Sequence, residues 1–580
     1  MSRLIPGWCA ISLTAAVLAF ASPAVPAAAQ SLKDWKCTGN PDIAWADQIV
    51  GCSNAIASGA LTGQDLAAAL ADRGTAYAAT GDLDRAMADF DRAIGLDANA
   101  ASAFKGRGNV FLGKQDYERA IADYTEAIKL NPTYTVVFND RGNAYAANGQ
   151  LDLAIADYGE AIRLDPKAAY AYNGRGRAYQ IKGDLDHAMA DYDEAIRIDP
   201  DYAFAFNNRG NGYLAKGNFD QAIADYSAAI RLDPTYAIAF SGRGTAYQSK
   251  GNVEAAIADY SAAIRLDPNY AQAFVRRAYA YILIGDLDHG IADCTEAIRL
   301  TPKDAAAFNN RGIAYRGKGD LDRAFADFDQ AIQLDPKDTV AFNNRGLIYQ
   351  MKGDLDRAVA DYSAAIRLDP TYVFAFNNRG GIYNEKGDFA GALADFDQAI
   401  RIDPSFAQAF YNRGGTYKDK GDLDRAIADF DQAIRLVPSY SRAYNNRGLV
   451  YQAKGDLDHA FADFSQAIRL DPTNAEAFNN RGNVYATRKD YDHAIAEYDE
   501  AIRLDAGYAI AFRNRGMVRG YKRDFDGAIV DFDQAIRIDP DDATALFWRG
   551  KAKQIKGDVA GGNADVGAAE KIDPHVSAQR

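Results

Sequence analysis

Residues 339–372 read TVAFNNRGLIYQMKGDLDRAVADYSAAIRLDPTY, and the same pattern returns every 34 residues on either side of them. Its Arg-Gly pair sets the beat, recurring fifteen times from Arg73 to Arg549 with Arg277-Ala278 as the one lapse. A fixed period of this size marks a repeat array, in which each unit buries its apolar face on its neighbours. Within the quoted unit, Phe342, Arg345, Gly346 and Tyr349 fall at helical spacing, and Lys352-Gly353-Asp354 interrupts them. A second helical pattern then runs through Leu355, Ala358, Tyr362, Ala365 and Leu368 and stops at Asp369-Pro370. Gly353 supplies backbone freedom for the turn, Asp354 can cap the second helix, and Pro370 cannot continue it. Each unit is therefore predicted to be a helical hairpin, and the chain to be all-α.

Composition sets outer bounds. The 580 residues are 48% hydrophobic, and 79 acidic against 65 basic side chains give a net charge of −14. The charge is spread through the repeats, as where Asp354, Asp356, Asp361 and Asp369 stand against Arg345, Lys352, Arg357 and Arg367. An acidic chain with no basic stripe is a poor candidate for nucleic acid or an anionic membrane. A protein partner is expected instead.

At the N-terminus, Arg3 precedes an apolar run through Trp8, Ile11, Leu13, Val17, Leu18 and Phe20, and small residues follow as far as Ala27-Ala28-Ala29. This is the three-part form of a secretory signal, with cleavage expected after Ala29. An uncleaved anchor is the alternative, disfavoured by the short run and by Pro23 and Pro26. The alanine-rich signal points to a bacterial exporter and a periplasmic or secreted product. Loss of Cys9 would leave Cys37, Cys52 and Cys294. In an oxidising compartment Cys37 and Cys52 are expected to form a disulfide worth about 3 kcal/mol for a loop of that length. Cys294 takes a position held elsewhere by Phe or Tyr and reads as a small buried hydrophobe.

The recurring aromatic, Gly, Tyr, Ala, aromatic, Ala and Pro, here Phe342, Gly346, Tyr349, Ala358, Tyr362, Ala365 and Pro370, resemble the tetratricopeptide repeat. Size matching explains the pattern: Gly346 and Ala358 let the two helices approach, and the aromatics fill the space beside them. The resemblance spans about Asp65 to His575 and weakens near the ends. Phe111 and Gln115 replace the Tyr and the turn Gly in the second unit. Lys489 and Arg523 take turn positions, Arg519 replaces the Tyr, and the last unit has Leu546, Gly561-Gly562 and Val566. Terminal units have only one neighbour, which fits. The expected organisation is a signal segment at 1–29, a cap at 30–66 carrying an orphan second helix, fifteen repeats at 67–576, and a tail at 577–580. The resemblance implies a right-handed α-α superhelix, with first helices lining a concave groove.

This chain departs from the commoner family pattern by placing Arg where Leu usually precedes the Gly. Every unit also has an acid sixteen residues later, as in Arg73 with Asp89, Arg345 with Asp361, Arg481 with Glu497 and Arg549 with Asp565. A ladder of Arg-carboxylate contacts, within a unit or between neighbours, is the expectation. Two solvated surface residues worth little are the alternative.

No feature calls for catalysis. His187, His289, His459 and His493 share one repeat position, where other units carry Arg85, Arg323 or Arg357, and His575 lies in the tail. No histidine is set to meet a nucleophile, no ligand set has metal spacing, and each Gly belongs to a hairpin. Neither an enzyme nor a cofactor is expected. Binding remains, and the groove can be read by position. Just before the Arg stand Asn208, Asn310, Asn344, Asn378, Asn412, Asn446, Asn480 and Asn514. A second row holds Asn139, Asn173, Asn207, Asn309, Asn343, Asn377, Asn445 and Asn479. An amide both donates and accepts, so the first row could hold a partner's main chain without reading its sequence, as the family resemblance implies. Hydrogen bonding within the array is the competing reading. The N-terminal third has Asp72, Gly106, Asp140 and Gly174 at that place, so its partner could differ, and Arg276 and Trp548 are candidate local contacts. The expected function is a non-catalytic scaffold that binds protein or extended peptide in the bacterial envelope. A module for glycan or peptidoglycan is the alternative.

Overall fold

The computed structural model describes residues 36, 37 and 42–578 and divides at Pro302 and Lys303 into two compact units. The expected signal segment lies outside the described residues. The first unit begins with a cap helix, Trp45–Ala57, followed by seven helical hairpins from Gly63–Ala79 to Leu287–Leu300. The second stacks eight more, from Ala305–Gly317 to Val559–Ile572, and ends in a short 3-10 turn, Val576–Ala578. Both units are all-α solenoids. No described helix is long and apolar enough to cross a membrane.

The ninth repeat shows how the sequence folds locally. Its first helix is Thr339–Met351 and its second Leu355–Leu368. Gly353 makes the turn at φ 78°, and the Asp354 carboxylate caps the second helix by accepting from the Arg357 amide at 3.1 Å. Ala358, Tyr362 and Ala365 bury themselves against Ala375 and Ile382 of the next repeat, so neither hairpin owns its core alone. Burying each such aromatic contributes roughly 1.5–3 kcal/mol. Gly346 is indeed a crossing point: a Cβ there would come within 2.8 Å of the Tyr362 ring. Where the turn glycine is missing, Gln115, Lys489 and Arg523 adopt φ of 61°, 62° and 64°, a left-handed conformation that costs an L-residue roughly 1–2 kcal/mol.

At the N-terminal end, Cys37 is joined to Cys52 of the cap helix with the Cα atoms 4.7 Å apart, and both are fully buried beside Ala55 and Ala69. Cys294 is fully buried outside the disulfide, as its position predicts.

Within each unit, every first helix touches the first helix of the next repeat, whereas second helices pack chiefly against first helices. The stack is thus tighter along its first-helix side. That side, which the family resemblance expects to line the groove, is the inner face, and it carries the candidate site.

Candidate functional site

The recurring Arg is framework. In the ninth repeat, Arg345 grips Asp361 through Nε and Nη2, both at 2.8 Å, and its Nη1 reaches Asp329 on the preceding second helix at 2.6 Å. One guanidinium therefore ties three helices. The same fork closes on Asp89, Asp225, Asp429 and Asp565, and the backward contact goes to Asp193, Asp397 or Asp533, or to a hydroxyl such as Thr125, Ser227 or Ser363. Arg175 has only Gly159 at that place and makes no such bond. The forked acids are buried, and their carboxylates hold Arg107, Arg209 and Arg345 above the usual arginine range. Both ladder alternatives, within and between units, are therefore realised together.

Toward the inner face the two asparagine rows meet. Nδ2 of Asn208 donates to Oδ1 of Asn173 in the preceding repeat at 2.9 Å, and Asn344, Asn378, Asn412, Asn480 and Asn514 do the same to Asn309, Asn343, Asn377, Asn445 and Asn479 at 2.8–3.1 Å. Asn446 differs, donating to the Tyr411 hydroxyl at 2.7 Å because its second-row partner is a tyrosine. Asn310 is half-buried in the same row. Asn344 and Asn480 are nearly enclosed, at 6% and 5% exposure, while the others stay half-buried. Each bond uses one of two amide protons, so the more open members keep hydrogen-bonding capacity, except Asn514, whose second proton goes to Asn483 at 3.1 Å.

A third network is absent from the sequence reading. The core tyrosines Tyr124, Tyr158, Tyr226 and Tyr498 donate to Asn109, Asn143, Asn211 and Asn483 at 2.6–2.8 Å, and Tyr192 and Tyr362 to Gln180 and Gln350 at 2.7 and 3.0 Å. Where the core aromatic is Phe328, Phe396, Phe430, Phe464 or Phe532, the place of that Asn holds Ile313, Gly381, Gly415, Leu449 or Met517. A buried hydroxyl needs an acceptor and a phenyl ring does not, so the pair varies together. That partial correlation, Asn fifteen or Gln twelve residues before a core Tyr, was the available signal.

Charge is also segregated. First helices carry few acids, namely Asp65, Asp72, Asp140, Glu385, Asp419 and Glu476, whereas every repeat's second helix carries several. The overall −14 therefore describes the outer helices far better than the inner face. Among the inner acids, burial pushes Asp72 up to about 7 and raises Asp140, the latter against the opposing influence of Lys105 and Asn139.

Aromatics complete the face. Many first helices begin after a Tyr or Phe rather than a capping side chain, among them Tyr202, Tyr236, Tyr372 and Phe406, and none of these supplies a cap. Each forgoes about 1 kcal/mol of helix stability. Their rings instead flank exposed neighbours: Phe204, 46% exposed, lies 5.9 and 5.1 Å from Tyr202 and Tyr236, and Phe374, 50% exposed, lies 5.5 and 5.4 Å from Tyr372 and Phe406. Burial pushes the phenol of Tyr202 to about 12, so it stays protonated at neutral pH.

The remaining candidates are structural. His187, His289, His459 and His493 each bond the capping Asp of their own helix at 2.7–2.8 Å and stack on a tyrosine. Arg276 donates to Ser241 at 2.8 Å, and Trp548 packs beside Phe547 in the last repeat. Among the described residues no group of three or more His, Cys, Asp or Glu is gathered as a metal would require.

The chain was compared with known proteins. Family descriptions named TPR repeat match residues 108–251 in four overlapping stretches, 380–455 in two, and 522–557. Tetratricopeptide repeat descriptions match 237–270, 305–372 and 441–508, and others 67–99 and 271–304. No curated protein matches. Similar solved structures include a chain of the Cut9–Hcn1 hetero-tetramer of the APC/C, 15% identical over 80% of this chain and 98% of that one, with a TM-score of 0.47. Another is a tetratricopeptide repeat protein of Parabacteroides merdae, 20% identical over 43% of this chain and 98% of that one, TM-score 0.36. A third is YrrB, described as having an unusual peptide-binding site, 24% identical over 32% and 95%, TM-score 0.27. With family matches reaching from residue 67 to residue 557 in phase with the hairpins, the chain belongs to the tetratricopeptide repeat family.

Proposed function

We propose that this protein is a non-catalytic scaffold that holds polypeptide partners along the inner face of its repeats, in the bacterial envelope. One observation carries the reading: many first helices lack a capping side chain and carry few carboxylates, and they present asparagine amides and exposed aromatics such as Phe204 and Phe374 instead. A polypeptide offers alternating donors and acceptors along its main chain, and a row of amides can match them without specifying sequence. The residual donors of Asn208, Asn310, Asn378, Asn412 and Asn446 are assigned this role, whereas Asn344 and Asn480 are nearly enclosed and Asn514 spends both amide protons within the array. Export is supported by the signal-like residues 1–29 and by the Cys37–Cys52 bond, which suits an oxidising compartment.

Photo-crosslinking in cells tests the proposal, with a benzophenone amino acid placed at Phe204, at Phe374, and on a second helix at Val530, which is also exposed. Protein adducts confined to the two inner positions are expected. Equal labelling at Val530, or retention on isolated cell wall without protein adducts, would reject the scaffold reading, the second result in favour of a glycan. Replacing Asn344, Asn378, Asn412 and Asn446 together by Ala should abolish the inner adducts if the row binds. Cell fractionation and mass spectrometry of the mature N-terminus test export, with Gln30 expected first.

A further inference from the structure

The inner face of repeats four to six holds a hydrogen-bond relay that ends on an unused donor. Asn207 Nδ2 donates to Asn208 Oδ1 at 3.3 Å, Asn208 Nδ2 to Asn173 Oδ1 at 2.9 Å, and Asn173 Nδ2 to the Tyr202 hydroxyl oxygen at 3.5 Å. Direction matters in this chain. Because Asn173 fills the Tyr202 oxygen from one side, the phenolic proton must point elsewhere, and no acceptor takes it among the described residues. At the other end Asn207, only 3% exposed, has an Oδ1 with no partner among the described residues. The network is thus incomplete within the protein, which is unusual for buried polar groups.

Three further features converge on the open end. Tyr236 lies close enough to influence Tyr202, and its hydroxyl has no partner among the described residues. Arg177 is exposed, acts electrostatically on both phenols, and is paired with no carboxylate among the described residues, whereas the recurring Arg of every repeat is gripped by an acid. Phe204 stands between the two tyrosine rings with nearly half its surface bare. The helices that contribute these groups, Ala169–Lys182, Ala203–Ala215 and Ala237–Ser249, contain no Asp or Glu. The acids nearest the two phenols, Asp199 and Asp233, are engaged by the amides of Asp201 and Thr235 in their own turns.

Two phenol donors and a planar guanidinium form a set that lacks an acceptor, and a carboxylate supplies two oxygens in one plane. We propose that Arg177, Tyr202 and Tyr236 form a subsite for the carboxylate of an acidic side chain in a bound polypeptide, with an adjacent apolar side chain seated on Phe204. The inference rests on the inner face being the binding face and names what one segment of it selects.

The test uses the full chain and two labelled, end-blocked peptides, one alternating Leu and Glu and the other alternating Leu and Gln, read by fluorescence anisotropy. The wild-type protein is expected to prefer the Glu peptide about tenfold. Arg177→Gln should remove that preference while leaving the Gln peptide unchanged, and circular dichroism should show the variant folded, since Arg177 is exposed. Tyr236→Phe should reduce the preference by a smaller factor, and Phe204→Ala should weaken both peptides. Arg265→Gln, an exposed cation on a second helix, should change nothing. Equal binding of the two peptides, or equal losses from Arg177→Gln and Arg265→Gln, would overturn the subsite and leave the groove reading standing. Failure of the wild-type protein to bind either peptide would overturn both.

Discussion

Glu497 meets Arg481 through one nitrogen only: Nη2 donates to both carboxylate oxygens, at 2.8 and 3.0 Å, and the Arg481 Nε is buried with no partner. The other repeats place Asp at this position, and the shorter acid is forked by Nε and Nη2 together. The extra methylene of Glu497 carries the carboxylate past Nε. Glu497→Asp should therefore restore the fork and stabilise the protein by roughly 1–2 kcal/mol, the penalty of a buried unsatisfied donor. Urea unfolding measures this, and an unchanged or lowered midpoint would contradict the account.

Arg345→Leu removes a cation that three helices share and leaves Asp361 buried without its partner. A destabilisation of about 3–5 kcal/mol is expected for stranding a buried charge. Because each repeat contacts chiefly its neighbours, the damage should be local. Hydrogen exchange should accelerate in the eighth to tenth repeats and remain unchanged at the chain ends.

Gly346→Leu forces a side chain into the Tyr362 ring, since even a Cβ would stand 2.8 Å from it. The expected loss is roughly 1–3 kcal/mol. Urea melts matching those of the parent would show that the crossing has slack.

Asp72 gives the N-terminal repeats a pH dependence. Burial raises its carboxyl to about 7, so the folded state holds a proton that the unfolded chain has lost above about pH 4. Between these values the folded state binds more protons, and stability falls as pH rises, levelling off above about 7. Asp140, also raised by burial, acts in the same direction. Asp72→Asn should leave thermal stability unchanged near pH 4 and increase it near pH 8. An equal effect at both values would remove burial of the charge as the cause.

The hairpins were legible because two residue types announce each boundary: Gly353 at the turn, with its positive φ, and Pro370 after the second helix. The Arg345–Asp361 pairing was legible for a different reason, since two charged residues kept one offset through fifteen repeats. What the pattern could not show was the third arm of Arg345. Its partner varies among Asp, Ser and Thr, and any of these oxygens satisfies a single N–H. The asparagine rows were visible as rows, but their mutual bonds depend on how far adjacent first helices are offset, which composition does not encode. The contrast between inner and outer helices was hidden for a simpler reason. Net charge sums over surfaces that the fold separates, and Arg177 disappears into a total of −14.

The backward reach of the recurring Arg makes most joints between repeats alike, the one behind Arg175 excepted. Arg345 asks of the preceding hairpin only an oxygen sixteen residues upstream, and Asp329, Ser363 and Asp397 serve their own followers equally. A hairpin that offers such an oxygen can therefore precede any other and keep this contact. A duplication or deletion of one whole 34-residue block keeps the guanidinium in register, and a shift by any other length breaks it at once. The gene can gain or lose repeats in fixed steps, so the length of the stack is open to evolutionary change while the fastening between neighbours stays the same.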